Sequence, residues 1–199
     1  MFTRTLKRLL LTASMCCLVA TANAAPFDDA FAAHDRGDYA QALKIFRQLA
    51  AQGNAAAQAM IGAMYSSGEG ITQDYQEALK WYRLAAAQGY ILGQYNLGTM
   101  YHNGRGVTQD YKETVKWYRL AAAQGYAKAQ FNLGVMYYNG QGVPQDYASA
   151  HMWFNLASSA GYADGAKNRD LIAQRMTPQQ IEKAQDMARA CQERNFKGC

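Results

Sequence analysis

The residues of this chain that could do chemistry are three histidines, two late cysteines, a series of aspartates and three Gly-x-Gly loops. His34, His102 and His151 fall in different parts of the chain with no metal-ligand spacing. His34 and His151 occupy positions that are otherwise apolar and are expected to be partly buried and hydrogen-bonded. His102 is expected to face a groove. No Ser/His/Asp or Cys/His grouping is visible along the chain, although such a triad is defined in space rather than in sequence. The loops Gly68-Glu69-Gly70, Gly104-Arg105-Gly106 and Gly140-Gln141-Gly142 suggest phosphate cradles at first sight. They lack the preceding strand and the lysine of a P-loop, and their threefold return points to structural turns. Asp38, Asp74, Asp110 and Asp146 each stand just before a helical pattern, where a carboxylate caps the first turn. The expectation is a protein with no catalytic residue set, no metal and no cofactor.

The elements that must position these residues repeat. Asp74–Tyr90 reads DYQEALKWYRLAAAQGY and returns as DYKETVKWYRLAAAQGY at Asp110–Tyr126 and, more loosely, as DYASAHMWFNLASSAGY at Asp146–Tyr162. The steps Tyr75, Tyr111, Tyr147 and Trp81, Trp117, Trp153 are each 36 residues. A fixed period of this size is the mark of a helical array. The fold class expected is all-α, a solenoid of helix hairpins. Units run over 25–53, 54–89, 90–125 and 126–161, and a C-terminal helical cap fills 162–199.

Each full unit opens with a helix carrying Ile61-Gly62, Leu97-Gly98 or Leu133-Gly134. A glycine inside a helix costs about 1 kcal/mol, so its return implies close approach of the second helix. Tyr65, Tyr101 and Tyr137 close the first helix, and Ile71, Val107 and Val143 plug the loop onto the core. Gln41, Glu77 and Glu113, three residues after their aspartates, are expected to complete capping boxes. Leu97 and Trp117, which recur, are expected core positions. The last copy turns polar, with His151 for Leu79 and Val115, as suits a solenoid end. Beyond it, Ala163 to Arg175 and the stretch opened by Thr177-Pro178-Gln179-Gln180 are read as a terminal helix pair.

The ends and the composition set the class. Arg4, Lys7 and Arg8, an apolar run over Leu9 to Ala20, and Ala22-Asn23-Ala24 form a secretory leader, with 1–24 removed near Ala24. The run is too short to span a membrane, which takes about 20 residues. Of 20 basic and 15 acidic residues, the leader holds three basic ones, leaving a net charge of +2. No basic run survives, which argues against nucleic acid. Cys191 and Cys199 remain; in an oxidising compartment an even pair reads as a disulfide.

Gly93 to Gly125, GQYNLGTMYHNGRGVTQDYKETVKWYRLAAAQG, resembles the Sel1-like repeat, the 36-residue relative of the tetratricopeptide repeat. The likeness covers residues 27–161; the first unit departs by lacking the Gly-x-Gly loop. It implies a right-handed α-solenoid whose first helices line a concave, protein- or peptide-binding face. It also implies an exported interaction, adaptor or regulatory role in the periplasm or outside the cell. Some cysteine-rich members are linked to β-lactam binding or hydrolysis. They carry a cysteine pair in each repeat, and this chain has none between Cys17 and Cys191. Cell-wall glycan binding is the other alternative.

Positions that differ between copies are free to serve binding. By resemblance to tetratricopeptide grooves, the concave side receives Tyr95, Asn96, Thr99, His102 and Asn103 from the third unit. From the fourth it receives Lys128, Phe131, Asn132, Val135, Tyr138 and Asn139. Aromatic anchors beside amides suit an extended peptide. Lys128 is the one cation placed there, which argues against a clamp for acidic C-termini. Tyr95 and Phe131 also fit packing between helices as core, and both readings stay open at this point.

Overall fold

A computed structural model of the protein describes residues 26–199. The expected leader lies outside them. Among the described residues there are ten helices and no strand. The described part of α1 covers residues 26–35. Then come α2 (Tyr39–Ala51), α3 (Ala55–Ser67), α4 (Tyr75–Ala87), α5 (Ile91–Asn103), α6 (Tyr111–Ala122), α7 (Ala127–Asn139), α8 (Tyr147–Ser159), α9 (Ala163–Ala173) and α10 (Pro178–Glu193). From α2 to α9 each helix packs on its neighbours in the chain, which is the contact pattern of a solenoid. No described helix is long and apolar enough to cross a membrane.

The aspartates cap as their spacing predicts. Asp74 accepts from the N–H groups of Gln76 and Glu77 at 2.8 and 3.1 Å, and Asp110 from Lys112 and Glu113 at the same distances. Asp38 and Asp146 accept from Gln41 and Ala148. The expected capping boxes form only this half. Glu77 reaches forward to Lys80 instead of back, and Glu113 takes Lys116 at 3.0 Å together with the Trp117 indole N–H at 3.0 Å. A cation one turn ahead offers a charge-assisted bond that the neutral N–H behind does not. The complete box is at α10, where the N3 residue is the uncharged Gln180.

The helix-interior glycines are explained by rings. A Cβ on Gly62, Gly98 or Gly134 would stand 2.8, 2.7 or 2.6 Å from the ring of Tyr82, Tyr118 or Phe154. Each first helix therefore lies directly under an aromatic of its own second helix. The loop that joins the two is tied by Gln73, Gln109 and Gln145, whose amides donate to the carbonyls of Ser66, His102 and Tyr138. Between units, Arg83 donates to the Tyr101 hydroxyl at 3.1 Å, and Arg47 and Arg119 reach Tyr65 and Tyr137 in the same way.

Leu97 is fully buried, as expected of a recurring position. Trp117 is not: like Trp81 it is half-buried, packed at the margin of a core cluster. Only Trp153 of the three is enclosed. The cause is α10. The terminal pair does not close as a hairpin of its own; both of its helices pack on α8. Ile172 of α9 joins the cluster around Phe154, whereas Ala188 and Cys191 of α10 join Trp153 and Leu156. The structure joins Cys191 to Cys199, with Cα atoms 5.7 Å apart.

A glutamine ladder links the units and stops one rung short. Gln88 donates to the buried Gln58 at 2.7 Å, and Gln124 to Gln94 at 2.8 Å. The next donor position is Ala160, so Oε1 of the fully buried Gln130 has no partner. A buried acceptor left unmet costs roughly 1–3 kcal/mol. Ala160→Gln is expected to raise stability by about 1 kcal/mol, which a thermal melt reads as a few degrees for a chain of this size. A melting temperature that stays put or falls would refute the ladder.

Candidate functional site

The first helices α5, α7 and α9 line two hollows. The first, of about 380 Å³, is bordered by Tyr95, Thr99, His102, Phe131, Asn132 and Val135, with Tyr118 and Met136 at its base. The second, of about 260 Å³, is bordered by Val135, Tyr138 and Asn139 of α7, by Asn168, Leu171 and Ile172 of α9, by Phe154 and by Arg175. Val135 borders both, which sets the two hollows side by side, and together they make up a trough. Eight of the eleven positions named from the sequence border this trough. Asn96, Asn103 and Lys128 do not: Asn103 and Lys128 are exposed and Asn96 is half-exposed.

Tyr95 and Phe131 serve two purposes at once. The Tyr95 ring stacks on Tyr118 at 5.5 Å and meets Tyr126 edge-on at 5.0 Å. Phe131 stands 5.4 Å from Phe154 and 4.9 Å from Tyr162. Each ring is half-buried, with one side in the packing between helices and the rest turned to the trough. The base is chemically quiet. Burial pushes the Tyr118 hydroxyl up to about 12, opposed by its hydrogen bond to Thr99 at 3.1 Å. It stays protonated and able to donate. Asn132 donates to the Tyr95 hydroxyl at 3.4 Å, and the His102 ring lies 5.5 Å from Tyr111.

Sequence reasoning missed Arg175, whose guanidinium sits 5.8 Å from the Tyr138 ring. It also missed Asn168 and Leu171. The signal was present: the 36-residue step carries Asn132 to Asn168, Val135 to Leu171 and Asn139 to Arg175. Reading α9 as a cap, rather than as a worn first helix, hid it.

The other histidines behave differently from one another. His34 lies 3.2 Å from a Glu69 carboxylate oxygen. His151, expected to be a satisfied residue, is 2% exposed and its Nδ1 has no partner. It stands where the other copies have leucine or valine, so its surroundings offer no acceptor or donor there. Burial pushes its pKa below the usual histidine value; nearby Arg169 adds to this and Asp170 opposes it. The unfolded chain therefore binds the proton first, and stability falls as pH drops below about 6.5. The melting temperature is expected to decline from pH 7 to pH 5, and His151→Leu to flatten that decline. Parallel curves for the two proteins would count against it. Among the described residues, no group of three or more His, Cys, Asp or Glu side chains could hold a metal ion.

A family model described as Sel1 repeat matches residues 34–54, 55–90, 91–126 and 127–162. The chain belongs to the Sel1 repeat family. Its helical hairpins superpose on the crystal structure of a Sel1 repeat protein from Oxalobacter formigenes with a TM-score of 0.70 and 34% identity, over 73% of this chain and 60% of that one. The structure of c5321, a protective antigen present in uropathogenic Escherichia coli strains, displays an SLR fold and matches at a TM-score of 0.61 and 27% identity. That match covers 87% of this chain and 47% of c5321. The chain thus spans less than two thirds of either protein. No curated protein matches it. Sel1 repeats commonly serve protein–protein interaction.

Proposed function

We propose that this Sel1 repeat protein is an exported interaction module that holds an extended segment of a partner protein along the trough of α5, α7 and α9, with no catalysis of its own. The observation that supports this reading is the placement of the two hollows on either side of Val135, with aromatic rings and amides lining both. The half-buried rings of Tyr95, Phe131 and Tyr138 supply anchors, and Asn132, Asn139 and Asn168 supply amides for a peptide backbone. Export to the periplasm or beyond rests on the leader pattern of residues 1–24 and fits the Cys191–Cys199 pair. Thiol titration of the secreted protein should then find no reactive thiol.

Once a partner is isolated from the exported fraction, Phe131→Ala and Tyr138→Ala are each expected to weaken it by about 2 kcal/mol. The effect of each on the melting temperature should be small beside that of Leu97→Ala. Tyr95→Ala belongs to the same set but costs more stability, since its ring also packs on Tyr118 and Tyr126. Calorimetry and melts on the same variants decide the matter: unchanged affinity in Phe131→Ala and Tyr138→Ala would reject the trough as the site. Sedimentation with cell-wall glycan and a β-lactam turnover assay, run in parallel, test the two competing functions; binding in the first or turnover in the second would displace this one.

A further inference from the structure

The outer faces of the second helices change along the chain. α4 carries Trp81 and Leu84, α6 carries Trp117 and Leu120, and α8 carries Trp153 and Leu156, at the same register. Leu84 is 50% exposed and Leu120 43%, but Leu156 only 1%. Unit four differs in having α10 over this face, where Trp153 and Leu156 share one apolar cluster with Ala188 and Cys191. The flanking residues change with the cover. Lys80 and Lys116 give way to Met152, and Arg83 and Arg119 to Asn155. Where a helix of this chain lies, the edge is apolar or neutral. Where none lies, the same Trp-Leu pair is kept, the tryptophan half-buried and the leucine exposed, between four exposed cations.

Those cations are only partly answered. Glu77 and Glu113 pair with Lys80 and Lys116, whereas Arg83 and Arg119 donate to the neutral hydroxyls of Tyr101 and Tyr137 and have no carboxylate partner. The open face also continues from the covered one. A hollow of about 670 Å³ runs beside α6, bordered by Lys116, Arg119 and Leu120 on one side and by Phe196 and Cys199 of the C-terminal loop on the other. A second copy does not supply the missing helix through α10, because the Ala184, Ala188 and Cys191 face of that helix is already buried.

We propose that the outer face of units two and three docks an amphipathic helix of a partner protein, apolar along one side and acidic along its edges. It would lie over Trp81, Leu84, Trp117 and Leu120 as α10 lies over Trp153 and Leu156. The apolar stripe supplies the contact and the cationic rim selects an acidic occupant. This surface is separate from the trough and stands whether or not that reading holds.

The test places a photo-crosslinking residue at position 84 or 120 of the full chain in its own cells. Position 171 in the trough and position 185 on the open side of α10 serve as comparisons. Positions 84 and 120 are expected to capture one partner through a segment whose mapped sequence has apolar residues at helical spacing flanked by Asp and Glu. Position 185 should capture nothing. Leu84→Ser with Leu120→Ser, in exposed positions that the fold does not need, should lower affinity for that segment at least about tenfold, with an unchanged melt. Raising the salt to about 0.5 M should weaken it further, as screened charges require. Capture of a second copy of this chain, of lipid or glycan, of a segment without acidic edges, or of nothing at 84 and 120 would overturn the proposal. Capture at 171 alone would do so too while leaving the trough reading intact.

Discussion

Gly142→Ala is expected to cost about 2–5 kcal/mol, while Gly161→Ala, at a glycine with the same kind of backbone, costs about 1–2 kcal/mol. Both glycines have positive φ, +71° and +85°. A left-handed conformation alone penalises a side chain by about 1–2 kcal/mol. The space around them differs. Nothing lies within 4 Å of a Cβ on Gly161, whereas a Cβ on Gly142 would stand 2.2 Å from the Tyr111 carbonyl oxygen and 2.5 Å from its carbon. Those are backbone atoms at the start of the preceding unit's second helix and cannot swing aside, so overpacking adds about 1–3 kcal/mol more. Gly106 meets the Tyr75 carbonyl in the same way at 2.3 Å. The second glycine of each loop is therefore the seat of one unit on the next, and its loss should uncouple neighbours rather than merely strain a turn. Denaturant melts of the two variants read the contrast. Equal losses would mean that the loops are free to move off the preceding helix.

That contact shows what was legible in the sequence and what was not. Recurrence alone gave the paired helices of each unit, the aspartate caps and the burial of Leu97, because one physical solution is written several times over in one chain. It was misleading where a recurring residue has no fixed surroundings. Trp81, Trp117 and Trp153 are the same letter at the same register, yet only the last is enclosed. The capping boxes failed because the local pattern takes no account of a lysine one turn ahead of Glu77 and Glu113. Eight trough positions were found from variability between copies. Arg175 was not, because α9 has lost the repeat's letters while keeping its place. Long-range placement of a non-repeating helix such as α10 has no periodic signature to read.

The position of α10 therefore needs a test of its own, and the three tryptophans provide it. Trp153→Ala is expected to cost about 3–5 kcal/mol, the range for emptying a large aromatic site in a core. Its ring is 2% exposed and lies in the cluster that Ala188 and Cys191 complete, with Met187, Phe196 and Cys199 packed against it. Removing the ring takes away most of what α10 rests on. The terminal helix and the loop bearing Cys199 should then loosen together. Trp117→Ala, at the equivalent place on α6, should cost only about 1–2 kcal/mol, typical of a partly exposed site. What it loses is one hydrogen bond to Glu113, a stacked Lys116 ammonium at 5.3 Å and the packing of a half-buried ring on the cluster of Leu79, Tyr82 and Leu97. Because solenoid stability adds up from units and their nearest neighbours, the two losses can be compared directly in one denaturant series. Hydrogen exchange should also show α10 amides losing protection in Trp153→Ala and keeping it in Trp117→Ala. If the two variants melt alike and α10 exchanges alike in both, the helix does not rest on α8 in solution. Leu156 would then be as open as Leu84 and Leu120.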